Sequence, residues 1–139
     1  MYKRQWCVGA KSQTEKQLKK PINSLEKIYD PALKWRSHVN NQLKTKYKTL
    51  FSLLDGLLYL KAKNFDLLKS WRLKQERKLW TKTRNKKNLK IMSSEDLINF
   101  MQTYQRITQQ MFKDGIKSSS IIMNLNTNHQ IESLKFKTK

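Results

Sequence analysis

The sequence predicts an α/β layered fold with a largely parallel sheet, and three observations carry that prediction. Leu57 to Leu60 form a short apolar run bounded by Asp55-Gly56 and Lys61, which suits a strand buried on both faces. Its length would also suit a buried helix segment. The period then changes: Phe65, Leu68, Trp71, Gln75 and Leu79 recur at steps of three and four, with Asn64 placed to cap the helix and Asp66 in its first turn. Finally, Ile121-Ile122-Met123-Asn124-Leu125 and the alternating Leu134 and Phe136 read as two further strands after another helical stripe. Helices that alternate with short apolar strands define this class.

In chain order, Met1 to Gln5 resemble a translated adapter remnant and are expected to be non-native, leaving residues 6–139 as one unit. Trp6-Cys7-Val8-Gly9 reads as a strand running into a loop, with Gly9 free to take a positive φ. Lys11 to Lys20 is lysine-rich and without apolar period, as in a loop or frayed helix. Asp30-Pro31 predicts a helix start, followed by an apolar stripe of Trp35, Val39, Leu43, Tyr47 and Phe51. Thr81 to Lys90 is expected to be a solvated loop. Ser93-x-x-Asp96 then caps a helix with the stripe Leu97, Met101, Tyr104, Thr108 and Met111, which Asp114-Gly115 is expected to end. Asn126 to His129 predicts a turn.

The 139 residues suffice for one domain with a modest core. A net charge of +20 raises nucleic acid or an anionic membrane as partners. The charge is mostly lysine spread along the chain, however, so nucleic acid is expected as a partner only through non-specific attraction. The longest apolar stretch, Leu50 to Leu60, is interrupted by Asp55 and Gly56 and is too short to span a bilayer, so no membrane partner is expected. One cysteine, Cys7, excludes an intramolecular disulfide and suits a reducing compartment, and a cytoplasmic location is the expectation. His38 and His129 stand apart, without the spacing of a metal site.

Several signatures follow one another in order: Trp6-Cys7-Val8-Gly9; Asn23-x-Leu25-Glu26; Asp30 before Trp35-Arg36-x-x-Val39-Asn40-x-x-Leu43; and Leu54-Asp55. They continue with Trp71-Arg72-x-x-Gln75-Glu76, Met92-Ser93 and Phe100-x-x-x-Tyr104-x-Arg106-x-Thr108. Together they resemble the C-terminal part of the D-glycerate 3-kinase-like P-loop kinases, relatives of uridine kinase and phosphoribulokinase. The resemblance implies part of a three-layer kinase fold with a mainly parallel sheet. It also implies a reaction in which ATP and magnesium supply a phosphoryl group to a hydroxyl of a small acid. Such chemistry rests on positioning and charge neutralisation.

The resemblance assigns Arg72, Gln75 and Glu76 to an ATP lid and Trp6, Cys7, Gly9 and Arg36 to the acceptor side, with Arg106 a candidate anion contact. Departures matter as much. The three glycines, Gly9, Gly56 and Gly115, are far apart, and none is followed by Lys-Ser/Thr. The Gly-x-x-x-x-Gly-Lys-Ser/Thr loop, whose glycine-rich turn lets backbone amides converge on a phosphate, is therefore missing from these residues. The family places it before the Trp6 segment, so the expectation is a C-terminal segment, inactive in isolation. Arg4 and Gln5 stand where relatives carry Glu-Gly, and an arginine cannot act as a base.

Plainer readings stand beside the functional ones. Arg72 and Glu76 are spaced for a surface pair worth about 0.3–0.5 kcal/mol. Arg77 and Lys78 suit a solvated face. Trp35, Tyr104 and Thr108 lie on apolar stripes as core candidates, Arg36 stays open, and Arg106 is either a surface residue or an anion contact. Cys7 has no histidine nearby in sequence to make it a nucleophile. The rivals to a kinase are a small basic nucleic-acid-binding module and a functionless remnant of a kinase gene.

Overall fold

The computed structural model describes residues 7–83 and 92–137. Their elements run α1 (Glu15–Lys19), α2 (Ser24–Tyr29), α3 (Lys34–Lys44), α4 (Lys46–Ser52), β1 (Leu58–Lys61), α5 (Phe65–Thr83), α6 (Ser94–Ser118), β2 (Ile121–Leu125) and β3 (Ile131–Phe136). The class is α/β, as the alternation of patterns predicted. The strands lie in the order β1-β2-β3. β1 pairs with β2 in parallel, and β2 with β3 antiparallel through the Asn126–His129 turn. Asn126 closes that turn by accepting from the backbone N–H groups of Asn128 and Gln130.

Local capping chemistry accounts for most boundaries. The Asn64 side chain accepts from the N–H of Leu67 at 2.9 Å, and Ser93 accepts from the N–H of Asp96 at 3.0 Å, both as predicted. Of the two readings of Lys11–Lys20, loop or frayed helix, the structure has a short helix, α1, inside the segment. Thr14 and Gln17 form a reciprocal capping box, and Leu18 is buried. The helix expected from Asp30-Pro31 begins later, at Lys34. Asp30 nevertheless caps it from a turn upstream, its carboxylate accepting from the N–H groups of Trp35 and Arg36 at 2.9 and 3.0 Å.

The single stripe expected from Trp35 to Phe51 is two helices. At Thr45 the backbone leaves helical geometry (φ −110°, ψ −91°) while its hydroxyl donates to the Asn41 carbonyl, a local bond that competes with helix continuation. α5 extends through Thr83 into the segment expected to be a loop; residues 84–90 of that segment lie outside the described residues. α6 continues past Gly115 to Ser118. Gly115 is not a left-handed stop but a point of close approach: a Cβ there would sit 3.1 Å from Cζ of Tyr59.

The core lies between the helices and one face of the sheet. Tyr59 and Ile122, neighbours in register, pack with Leu43, Met111 and Ala10, joined by the half-buried Val39, Phe51, Ile107 and Ile116. A second cluster of Phe65, Leu97 and Met101 joins α5 to α6. β1 was expected to be buried on both faces, but Leu58 and Leu60 are exposed while Tyr59 between them is buried, because the described helices cover one face. No helix among the described residues is long and apolar enough to cross a membrane.

Candidate functional site

Glu26 and Arg106 meet across 80 residues of sequence. The Glu26 carboxylate takes a forked pair of bonds from Arg106, at 2.7 Å from Nε and 2.6 Å from Nη2, and a third from Arg36 Nη1 at 3.3 Å. Arg36 also donates through Nε to Asp30 at 3.0 Å and through Nη2 to the Asp30 carbonyl at 2.7 Å. All four charged side chains are buried. Arg106 spends its remaining donors on Gln13 Oε1 and on the carbonyls of Gln17 and Lys20, so it ties α6 to α1 and α2 together. Arg106 is therefore not a surface residue: its guanidinium is buried, and its charged partner is Glu26 of the same chain. Among the described residues no buried side-chain polar atom lacks a partner.

Burial works against the ionised Glu26, but the Arg106 bonds, the Ile22 N–H and the charges of Arg106 and Arg36 outweigh it and hold the carboxyl below its ordinary pKa. Burial opposes the Asp30 carboxylate likewise, and the N–H groups of Arg36 and Trp35 with the Arg36 charge more than compensate. Two cations and two anions thus neutralise one another in the interior.

Why the sequence builds this network is visible locally. Asn23 caps α2 by accepting from the N–H of Glu26 at 2.9 Å, and its amide donates to the Gln102 carbonyl and the Gln105 side chain on α6. On α3 the inward positions are Arg36, Val39, Asn40 and Leu43, so Trp35 is rotated outward and is 58% exposed, stacked on His38. The core position expected of Trp35 is therefore corrected. The Asn40 side chain bridges to Gln13 in both directions, at 2.6 and 3.0 Å.

A cavity of about 40 Å³ adjoins the network, lined by Lys11, Gln13, Trp35, Arg36, Asn40 and Gln110 among others. It has room for one or two waters, against the roughly 300–1,000 Å³ of ordinary small-molecule sites. The chain enters this region through the Cys7–Ala10 turn, where Gly9 has φ +80° and a Cβ would lie 2.6 Å from Leu57 Cδ2. Cys7 is half-buried against the core, and burial pushes its thiol pKa up, which keeps it protonated and unreactive. Trp6, the first residue assigned to the acceptor side, lies outside the described residues.

The residues assigned to a lid form a separate group on α5. Arg72 donates to Gln75 at 2.8 Å and pairs with Glu76 at 2.5 Å. Trp71 pins the same helix to the β2–β3 turn, its indole N–H donating to the Thr127 carbonyl and its ring lying 3.7 Å from that of His129. Beyond Glu76, residues 77–82 of α5 are exposed. Among the predicted site residues, then, Arg36 and Arg106 come together, Cys7 and Gly9 lead towards them, and the Arg72 group stands elsewhere.

Glu26 and Asp30 are the network's missing half: the sequence marked them only as motif and cap. One signal was available, the spacing Arg36, Asn40, Leu43, which puts two polar residues on the inward face of α3. As for magnesium and ATP, no cluster of three or more His, Cys, Asp or Glu among the described residues could hold a metal. The sequence has no phosphate-cradling glycine loop either.

A parallel strand pair joined through two helices, with an antiparallel strand beside it, makes a mixed α/β fold. The particular likeness is to the D-glycerate 3-kinase from Cryptococcus neoformans var. grubii, whose solved structure superposes with a TM-score of 0.70 at 17% identity over 95% of this chain. The chain spans about half of that structure's length, 48%. No protein-family model matches the chain, and no curated protein sequence does.

Proposed function

We propose that this chain is the C-terminal segment of an ATP-dependent small-molecule kinase resembling D-glycerate 3-kinase, acting in the cytoplasm. Its reaction moves the γ-phosphate of ATP to a hydroxyl of glycerate or a similar small acid. The observation that carries this reading is the likeness of fold to D-glycerate 3-kinase along nearly the whole chain. The ordered signatures from Trp6 to Thr108 support it.

Within this reading Arg36 and Arg106 are positioning residues. Their guanidiniums are saturated by Glu26, Asp30 and three carbonyls, and they fix the start of α3 and the segment after Gly9 on the acceptor side. Arg72 is assigned the phosphate contact: it is half-exposed, and Gln75 and Glu76 orient its guanidinium. ATP and magnesium belong to a glycine-rich loop outside these residues and would neutralise the transferring charge there.

The test is ADP release, coupled to a spectroscopic readout, with ATP, magnesium and glycerate. The 139-residue chain gives no turnover, whereas the chain joined to the coding sequence that precedes it turns over. In the joined enzyme Arg72→Ala lowers kcat by about 10²–10³. Turnover by the isolated chain, or none by the joined protein with glycerate, glycolate or lactate, overturns the reading.

A further inference from the structure

α5 is held along two lines. Along the first, its Phe65, Leu68 and Leu73 share a cluster with Leu97, Met101 and Phe112 of α6. Trp71 makes the second. At 3.6 residues per turn it projects about 120° around the helix axis from Phe65, and it reaches the β2–β3 turn. Its indole N–H donates to the Thr127 carbonyl at 2.8 Å, and its ring lies 3.7 Å from that of His129 with the planes tilted by 52°. A helix held along one line can roll about its axis, and a second line stops the roll. Arg72 follows Trp71 directly, so the roll of α5 decides where its guanidinium stands.

His129 is an unexpected residue for its place. Its φ of +66° lies in the left-handed region that favours glycine. The turn is shaped by bonds from the N–H groups of Asn128 and Gln130 to the Asn126 side chain, and from the His129 N–H to the Asn126 carbonyl. None of these uses the imidazole, so a glycine would close the same turn with less strain. What a glycine would lack is the ring on Trp71. A strained conformation kept in this way points to a task for the side chain. The two partners also start from one end of the sheet. β1 and β2 run parallel with Lys61 opposite Asn124, so the strand ends leading into α5 and into the turn lie side by side. Open α/β sheets bind ligands outside the carboxyl ends of their parallel strands.

We infer that Trp71 and His129 form a latch that fixes the roll of α5, and that both are positioning residues for Arg72. The latch stands on the contacts of the chain itself. Its consequence for a transferred phosphate rests on the kinase reading above.

The experiment uses the 139-residue chain, isotope-labelled for NMR. Trp71→Phe identifies the Trp71 indole N–H signal by its loss. His129→Gly removes strain and ring together at an exposed position, so the thermal midpoint is expected to hold or rise. Exchange of the Trp71 indole N–H with solvent is nevertheless expected to quicken at least about tenfold, and the Arg72 Nε–H signal to broaden. His129→Phe, which keeps a flat ring, is expected to restore both signals. Indole exchange indifferent to His129→Gly overturns the inference, as does a Phe variant that behaves like the Gly variant. So does a quickening shared equally by the amides of α6 and β2, which marks a plain loss of packing. In the chain joined to the coding sequence that precedes it, His129→Gly is expected to lower kcat by about 10–10²-fold with KM for glycerate unchanged. An unchanged kcat in that variant overturns the positioning role. The two readings separate cleanly. A latch seen in the spectra, with no turnover by the joined parent protein, keeps the latch and sinks the kinase. Turnover by the joined protein, with an indole indifferent to His129→Gly, keeps the kinase and sinks the latch.

Discussion

Glu26 holds two guanidiniums at once, and its removal is therefore costlier than that of any exposed ion pair in the chain. Glu26→Gln keeps the shape but leaves Arg36 and Arg106 buried with one anion fewer, which should destabilise the fold by about 3–5 kcal/mol. By contrast, Lys69→Ala, which breaks the exposed pair with Asp66, should cost well under about 1 kcal/mol. The pH dependence follows from the same residues. Both Glu26 and Asp30 have carboxyl pKa values below the ordinary range in the folded chain, so the unfolded chain takes up those protons first. Stability is then full above the ordinary carboxylate pKa of about 4 and is lost as pH falls below it towards the folded-state values. Urea denaturation between pH 7 and pH 3 should show the midpoint falling in the acid limb, and Glu26→Gln should flatten that limb. A midpoint in the parent chain that does not move down to pH 3 would contradict the assignment.

At the scale of elements, what the sequence made legible was whatever its own neighbours decide. Asn64, Ser93 and Asn126 each bond a backbone N–H within four residues, and their helix starts and turn could be read directly. The reading failed where partners are distant or where a face has nothing to cover it. Arg106 meets Glu26 across 80 residues, which no local period reveals. Val39 and Leu43 do join the core, but Trp35 and Tyr47 were counted with them because one four-residue step was followed through Thr45, where the helix breaks. Leu58 and Leu60 looked buried because an apolar run says only that burial is favourable, not that a layer is present. Gly115 shows the same limit: Asp-Gly reads as a stop, yet the glycine lets α6 approach Tyr59. Gly115→Ala should gain about 1 kcal/mol of helix propensity and lose about 1–3 kcal/mol to overpacking against a buried ring. The net expectation is destabilisation of about 1 kcal/mol, read from thermal unfolding. In a Tyr59→Leu background the ring is gone, and the same change should stabilise. If Gly115→Ala raises the melting temperature of the parent chain, the close approach is not limiting.

For the whole molecule, the question is whether a charge of +20 is a function or a background. A dedicated nucleic-acid module concentrates cations on one element with residues that reach bases or stack on them. Here the cations are distributed, and the two arginines buried among the described residues, Arg36 and Arg106, are neutralised internally. Exposed lysines do cluster at the α3–α4 junction, where Lys44, Lys46 and Lys48 rim an open depression of about 540 Å³, but its lining consists of exposed surface residues. Charge of this kind attracts any polyanion by counterion release, and its affinity collapses with salt: about 10³–10⁵ is lost between 50 and 200 mM for a protein neutralising six to ten phosphates. Fluorescence anisotropy with a labelled DNA duplex should therefore show binding at low salt that disappears near physiological ionic strength, with no preference among sequences. The double variant Lys46→Ala/Lys48→Ala should lower the low-salt affinity and the slope of log affinity against log salt by about the share of two phosphate contacts. Tight binding that persists at 200 mM, or that discriminates one sequence from another, would favour a nucleic-acid module over the proposed kinase segment, because non-specific counterion release produces neither.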